Sequence, residues 1–255
     1  MHGGMGRVLR KEVPLMHRFY AEQMDRETAF LSPEDQNHAL RVLRLVPGDI
    51  VELMWQGNRF LGELQDSSSA RVLRPLPSTE ASLRITLFQG LPKADKMDWI
   101  VQKAVEIGVA RIVPVLMERC ITRLTPQDAE KKRVRWSRIA REAGKQSGRC
   151  LVPEVTLPVP LRALPELGRE QDCCVVPWEE AGSVGPLGFV RDHPSFSSLG
   201  ILIGPEGGIA PEEIESLKEV FCPVTLGQRI LRTETAGLAA ASAFLALRGE
   251  MEAPA

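Results

Sequence analysis

The chain has 255 residues, 44% of them hydrophobic, enough to fill the core of one large domain or two modest ones. With 25% charged residues and a formal net charge of −1, the overall balance singles out neither a nucleic-acid binder nor an acidic scaffold. Five cysteines without a C-x-x-C pair and four scattered histidines suggest no disulfide framework and no metal site, and no apolar run approaches the ~18 residues of a membrane helix, so the expected compartment is the cytoplasm.

Residues 1–16, which lack the apolar core of a signal peptide, read as an extension outside the fold. Organisation begins at "HRFYAE". Ser32 followed by Pro33, with Asp35 three positions on, predicts the N-cap and first turn of a helix running through "NHALRVLRL" to Pro47-Gly48. "DIVELMWQGNRFLGELQD" predicts two strands around Gln56-Gly57-Asn58, with a third at "ARVLRPL". Short strands and one helix over residues 17–78 suggest a small β-barrel-like module.

"LPSTEAS", residues 76–82, marks a boundary, and a second domain over 79–250 has another rhythm. Strand candidates "RITLFQG", "RIVPVL", "CCVVPW", "GILIG" and "PVTLG" alternate with helical segments, which predicts an α/β domain with a mainly parallel sheet covered on both faces. In "KMDWIVQKAVEIGV" the apolar Met97, Ile100, Val101, Ala104 and Ile107 recur at helical spacing.

Three stretches could carry chemistry. "ILIGPEGGIAPEEIE", residues 201–215, puts a glycine-rich turn at the end of a buried strand, where missing side chains let a ligand approach backbone; it is neither a dinucleotide fingerprint nor a P-loop with its lysine. "VTLGQRILRTETAGLAAASAFLALRGE", residues 224–250, ends a strand at Gly227 and exposes Arg229, Arg232 and Glu234 before an alanine-rich helix with Thr233 or Thr235 as N-cap. Residues 131–149 hold eight Lys/Arg and one Asp/Glu, a local +7 against −8 for the rest of the chain. There Trp136, Ile139, Ala140 and Ala143 fall on one helical face and Lys131, Arg135 and Arg138 on the other, which favours phosphate binding. Gly144, Ser147 and Gly148 are expected to fray that helix, leaving Gln146 and Arg149 in a loop free to reach a ligand.

Together, "HRFY", "HALRVLRLVPGD", "LPKADKMDWIVQKAVEIGV", "REAGKQSGR", "ILIGPEGGIAPEEIE" and "TLGQRILRTETAGLAA" resemble one family, the small-subunit ribosomal RNA methyltransferases of the E type, uridine-N3 methyltransferases of the SPOUT superfamily. The likeness covers residues 17 to about 248. It implies a SPOUT-type α/β domain with a C-terminal trefoil knot after a PUA-like RNA-binding barrel, a homodimer, and S-adenosylmethionine as cofactor. It places the cofactor on Gly204, Pro205, Glu206, Gly207 and Gly208 and on Leu226, Gly227, Ile230 and Leu231, the glycines leaving it room. The implied substrate is 16S ribosomal RNA, expected within the assembled small subunit. On this reading Arg232 supports the anionic uridine or a nearby phosphate. Glu234 acts as base, orients that arginine, or simply sits well at a helix N-terminus. Arg18, Arg41 and Arg44 of the first module, with Arg135, Arg138, Gln146 and Arg149, are the expected RNA contacts. Lys93 and Lys96 match the family pattern, or lie on a solvated helix start. Ile209 stands where relatives often have an aromatic residue, and Trp178 either flanks the adenine or packs in the core.

Overall fold

The structure, a computed structural model, describes residues 16–252, so all of the expected extension except Met16 lies outside the described residues. The chain divides into two compact units, one ending at Ser78 and one beginning at Thr79.

The first unit is a closed barrel. Its strands are β1 (Arg18–Asp25), β2 (Thr28–Leu31), β3 (Ile50–Trp55), β4 (Asn58–Leu64) and β5 (Ser69–Leu76), in the order β1-β2-β5-β4-β3. All pairings are antiparallel except β1 with β3, which closes the ring in parallel. Phe19, Leu31, Val51, Leu53 and Leu64 fill its interior. β1 and β2 were not legible as strands: "RFYAEQMD" has no apolar alternation, and its strand geometry comes from pairing with β2 and β3. The buried Glu52 carboxylate accepts Arg59 Nη2 at 2.7 Å and Arg18 Nε at 3.0 Å, so one buried negative charge holds two arginines. Burial pushes the Glu52 carboxyl up, but the hydrogen bonds and charge of Arg59 and Arg18 outweigh it and hold the carboxyl below its ordinary value.

The expected single helix after Ser32 is two pieces. Ser32 Oγ accepts the Asp35 amide at 3.1 Å and Pro33 opens α1 (Pro33–Asn37), but His38–Val42 then widens into a π-helical turn. Arg44, at φ +55°, has left the helical region before Pro47 is reached.

The second unit is an α/β domain. Its elements are β6 (Arg84–Gly90), α2 (Lys96–Ile107), β7 (Arg111–Leu116), α3 (Pro126–Ser147), β8 (Glu154–Val155), β9 (Val159–Pro160), α4 (Leu164–Arg169), β10 (Cys173–Pro177), α5 (Pro186–Asp192), β11 (Ser198–Ile203), α6 (Pro211–Leu217), β12 (Cys222–Val224) and α7 (Thr233–Leu247). The sheet is parallel, in the order β12-β10-β11-β6-β7-β8, with β9 also on β7. β6 is buried from Ile85 to Gly90, as a strand covered on both faces must be. From β6 the chain runs outward through β7 and later returns on the other side through β10 and β11. The carboxyl ends of β6 and β11 therefore border the point where strand order reverses, the usual ligand position in open α/β sheets.

α3 departs from expectation. Thr125 Oγ1 caps it by accepting the Asp128 amide at 3.2 Å, and it runs unbroken past Gly144 to the left-handed Gly148 at φ +77°. Gly144 is buried within the helix, so Gln146 is a helical residue and not a loop one. Among the described residues no helix is long and apolar enough to cross a membrane.

Candidate active site

The turn after β11 rests on the end of β6. A Cβ added to Gly90 would lie 2.6 Å from the Pro205 nitrogen, so only glycine lets the two strand ends come this close. The glycines of the turn also have reasons internal to it. A Cβ on Gly204 would meet Ile209 Cγ1 at 2.7 Å, one on Gly207 would meet Arg119 Cβ at 3.0 Å, and Gly208 holds φ +73°. Close packing of the turn on itself and on Arg119 is thus a second reason for these glycines, beside the room that Gly204 and Gly208 leave at the cavity wall.

Beside this turn lies a cavity of about 380 Å³, walled by Trp178, Glu179, Ile203, Gly204, Pro205, Glu206, Gly208, Ile209, Ile230, Leu231, Arg232 and Thr233, among others. A second cavity, of about 590 Å³, shares Trp178, Glu179, Ile230 and Leu231 and continues along Thr225, Leu226, Gly227, Gln228 and Arg229. The two glycine-bearing strand ends thus face one cleft. Of the residues singled out in these two segments, Gly207, Glu234 and Thr235 fall on neither wall. Ile230 is 87% exposed over the opening. Trp178 lines the cleft while packing partly on the core, and Ile209 is buried beneath the turn.

The charges at the mouth are organised around a lysine. Lys96 Nζ, at the start of α2, sits 3.0 Å from Glu206 Oε1 and 3.2 Å from Glu234 Oε2. The Lys93 amide also donates to the Glu206 carboxylate at 3.2 Å. Burial pushes the Glu206 carboxyl up, but its own backbone amide, Lys96 and the Lys93 amide outweigh it and hold it below the ordinary carboxylate range. Glu234 is also held low, chiefly by its own backbone amide at the helix start and further by Lys96. Glu234 is therefore turned to Lys96, a partner the sequence reading did not give it. Arg232 is exposed on the cavity wall and is the backbone N-cap of α7.

Thr233 is not the cap that the sequence suggested. It is the first residue of α7, and its buried hydroxyl donates to the Gly204 carbonyl at 2.6 Å while accepting Gln89 Nε2 at 2.9 Å. Neither Gln89 nor this use of Thr233 could be read from the sequence, because the partners are 29 and 144 residues away.

Arg149 requires a correction. It is 5% exposed; Nε and Nη2 lie on the Glu80 carboxylate at 2.9 and 2.7 Å, and Nη1 donates to the carbonyls of Val105 and Val109 at 2.9 and 3.0 Å. With its donors spent on the protein interior, it is a structural tie and not an RNA contact. Arg138 and Gln146 are exposed on α3 and border a groove of about 830 Å³ with Lys103 and Glu106 of α2. Arg135 borders the same groove and pairs with Asp98, which also accepts Trp136 Nε1 at 3.1 Å. Among the described residues no group of three or more His, Cys, Asp or Glu is placed to hold a metal ion.

A parallel α/β sheet with a cleft at its reversal point, in a unit that also carries a basic helix, defines a class that the comparisons make specific. The RNA methyltransferase domain family matches residues 79–245. The chain is 36% identical over 247 residues to the ribosomal RNA small subunit methyltransferase E of Bacillus subtilis, spanning 90% of this chain and 96% of that one. The crystal structure of a ribosomal RNA small subunit methyltransferase E from Neisseria gonorrhoeae bound to S-adenosyl methionine superposes with a TM-score of 0.79 at 37% identity, covering 91% of this chain and 98% of that one. A protein from Legionella pneumophila, solved in complex with the bound cofactor SAM, gives a TM-score of 0.78 at 31% identity, covering 91% of this chain and 97% of that one. The chain belongs to the ribosomal RNA small subunit methyltransferase E family of RNA methyltransferases.

Proposed function

We propose that the protein transfers a methyl group from S-adenosylmethionine to N3 of a uridine in 16S ribosomal RNA. The observation that carries this reading is the cleft between the 204–208 turn and the 226–232 loop. A cavity of about 380 Å³ lies within the range of small-molecule sites, roughly 300–1,000 Å³. Its walls fit the cofactor: Ile203, Ile209, Ile230 and Trp178 offer apolar surface, and the carboxylates of Glu179 and Glu206 suit a cationic sulfonium. Gly204 to Gly208 and Leu226 to Leu231 would hold it.

When bound, the cofactor supplies a methyl group already activated by its sulfonium charge, so the protein's task is alignment and no protein nucleophile is needed. The acceptor nitrogen carries a proton and gains nucleophilicity as that proton leaves. Arg232 faces the cavity as a fixed cation and lowers the cost of the uridine anion. Glu234, held ionised below the ordinary carboxylate range, is a weak proton acceptor; its part is to anchor Lys96 at the cleft mouth.

The remaining parts of the reading follow the family likeness. The 79–250 domain is of the SPOUT type, with its C-terminal segment threaded as a trefoil knot, and the chain works as a cytoplasmic homodimer without a metal. The 17–78 barrel is PUA-like and grips RNA through Arg18, Arg41 and Arg44, while Arg135, Arg138 and Gln146 of α3 contact further phosphates. The closed barrel and the basic face of α3 support this assignment. The substrate is the assembled small subunit.

The test is incubation with labelled S-adenosylmethionine and small ribosomal subunits from cells lacking the activity, with the methyl group mapped by nuclease digestion and mass spectrometry. N3-methyluridine at a single position is expected. A ribose methyl group, or cofactor binding without transfer to the subunit RNA, would overturn the assignment.

A further inference from the structure

We infer that Thr233 is a positioning residue for the transfer: its hydroxyl, gripped by Gln89, fixes the 204–208 turn and Arg232 in a single geometry. This rests on the methyltransferase reading above.

The hydroxyl has one proton, and that proton is committed to the Gly204 carbonyl at 2.6 Å. Its oxygen must then accept from Gln89, whose amide therefore presents Nε2 to Thr233 at 2.9 Å and to the Gly90 carbonyl at 3.1 Å. The consequence falls on the other side of the amide. Gln89 is fully buried, and its Oε1 accepts no hydrogen bond among the described residues; it points toward α7, 3.6 Å from where a Gly237 Cβ would sit.

A buried acceptor left unpaired is unfavourable, and an apolar side chain at 89 would pack in the sheet without that cost. The glutamine is thus explained by what its donor side does and not by stability. It joins the end of β6 to the start of α7, and Thr233 extends the chain of bonds to the end of β11, so three segments far apart in sequence meet at one hydroxyl. The residue before that hydroxyl is Arg232 and the one after it is Glu234. A shift of α7 against the turn would move Arg232 relative to the cofactor wall, and a displacement of ~1 Å can cost about a hundredfold in rate.

The experiment compares Thr233→Val, Thr233→Ser and Gln89→Met with wild type in steady-state methyl transfer to small subunits, in S-adenosylmethionine binding by calorimetry, and in amide hydrogen exchange of the protein alone. Thr233→Val is expected to lower kcat and kcat/KM together by about a hundredfold with KM little changed. Thr233→Ser, which keeps the hydroxyl, retains most of the rate. Gln89→Met, which spares the Gly204 bond, loses about tenfold. In Thr233→Val and Gln89→Met, residues 204–209 and 231–235 exchange faster while α3 does not. Should Thr233→Val fail to fold, Gln89→Met carries the test. Wild-type rate and exchange in Thr233→Val or, failing that variant, in Gln89→Met, or a serine variant as slow as valine, would overturn the inference. Absence of transfer by the wild-type protein sinks the methyltransferase reading instead, and the exchange comparison still reports on the latch.

Discussion

Arg149 lies flat on Glu80, Nε and Nη2 against one carboxylate at 2.9 and 2.7 Å, and the same carboxylate accepts the Cys150 amide at 2.7 Å. The pair joins the start of the second unit to the end of α3, and Nη1 closes on the carbonyls at the end of α2. Arg149 is buried and Glu80 partly so, and removing the arginine leaves a half-buried carboxylate without its cation.

Arg149→Ala should therefore lower unfolding stability by about 2–4 kcal/mol, read from urea denaturation, toward the lower side of the cost of breaking a fully buried pair because Glu80 keeps the Cys150 amide. Arg149→Lys should recover only part of this, because an ammonium cannot span the carboxylate and two carbonyls at once. An unchanged midpoint for the alanine variant would return Arg149 to the list of RNA contacts.

Arg232 faces the cleft without an ion pair among the described residues. Arg232→Ala is expected to lose about 10²- to 10³-fold in turnover, comparable to removing one preorganised donor, while S-adenosylmethionine affinity is retained. Rapid-quench transfer assays alongside calorimetry separate the two quantities; loss of affinity with turnover intact would assign the arginine to binding.

Lys96 is a direct contributor to the low carboxyl ranges of Glu206 and Glu234. In Lys96→Met both carboxyls should titrate at higher pH. If the Glu206 charge on the cavity wall attracts the cationic cofactor, affinity then begins to fall at a higher pH in the variant than in wild type as solutions are taken downward from pH 7. Superimposable affinity profiles would remove Glu206 from cofactor recognition.

Asp172 links the start of β10 to the start of β11: its Oδ2 accepts the Ser197 amide at 2.8 Å, the Ser197 hydroxyl at 2.9 Å and the Ser198 amide at 2.9 Å. The backbone bond from Ser197, followed by the other serine bonds, holds its carboxyl at about 2, below the ordinary 3.8. A lowered folded-state value means that the stabilisation is fully present above the unfolded value and disappears as pH falls through the folded one. Asp172→Asn should be less stable than wild type at pH 6, with the gap shrinking below about pH 4 and closing near pH 2. A gap independent of pH would show that charge is not its origin.

RNA affinity should fall steeply with salt, since each neutralised phosphate releases counterions. Arg41→Gln with Arg44→Gln should flatten the slope of log K against log salt by about two, and Arg138→Gln by about one. Filter binding across a salt series measures this, and a slope unchanged in the double variant would remove the barrel arginines from the interface.

What the sequence determined by itself was local. Proline and small residues at 76–82 mark the change of rhythm where the units divide, and strand candidates from "RITLFQG" to "PVTLG" coincide with β6, β7, β10, β11 and the partly exposed edge strand β12; the four inner strands were legible because a strand buried on both faces is mostly apolar. The two glycine-bearing strand ends announced a cleft because few other sequences permit such turns. Tertiary structure decided which residues meet. β1 and β2 exist through ring closure, Gly204 and Gly207 answer to Ile209 and Arg119 and Gly90 to Pro205, Arg149 turns inward to Glu80, and Lys96 gathers two carboxylates 110 and 138 residues further along the chain. Thr233 shows the limit most plainly. A threonine before an alanine-rich helix reads as a cap, and only the crossing of β6, β11 and α7 turns its hydroxyl inward, since a short-range pattern carries no record of partners brought within 3 Å by the fold.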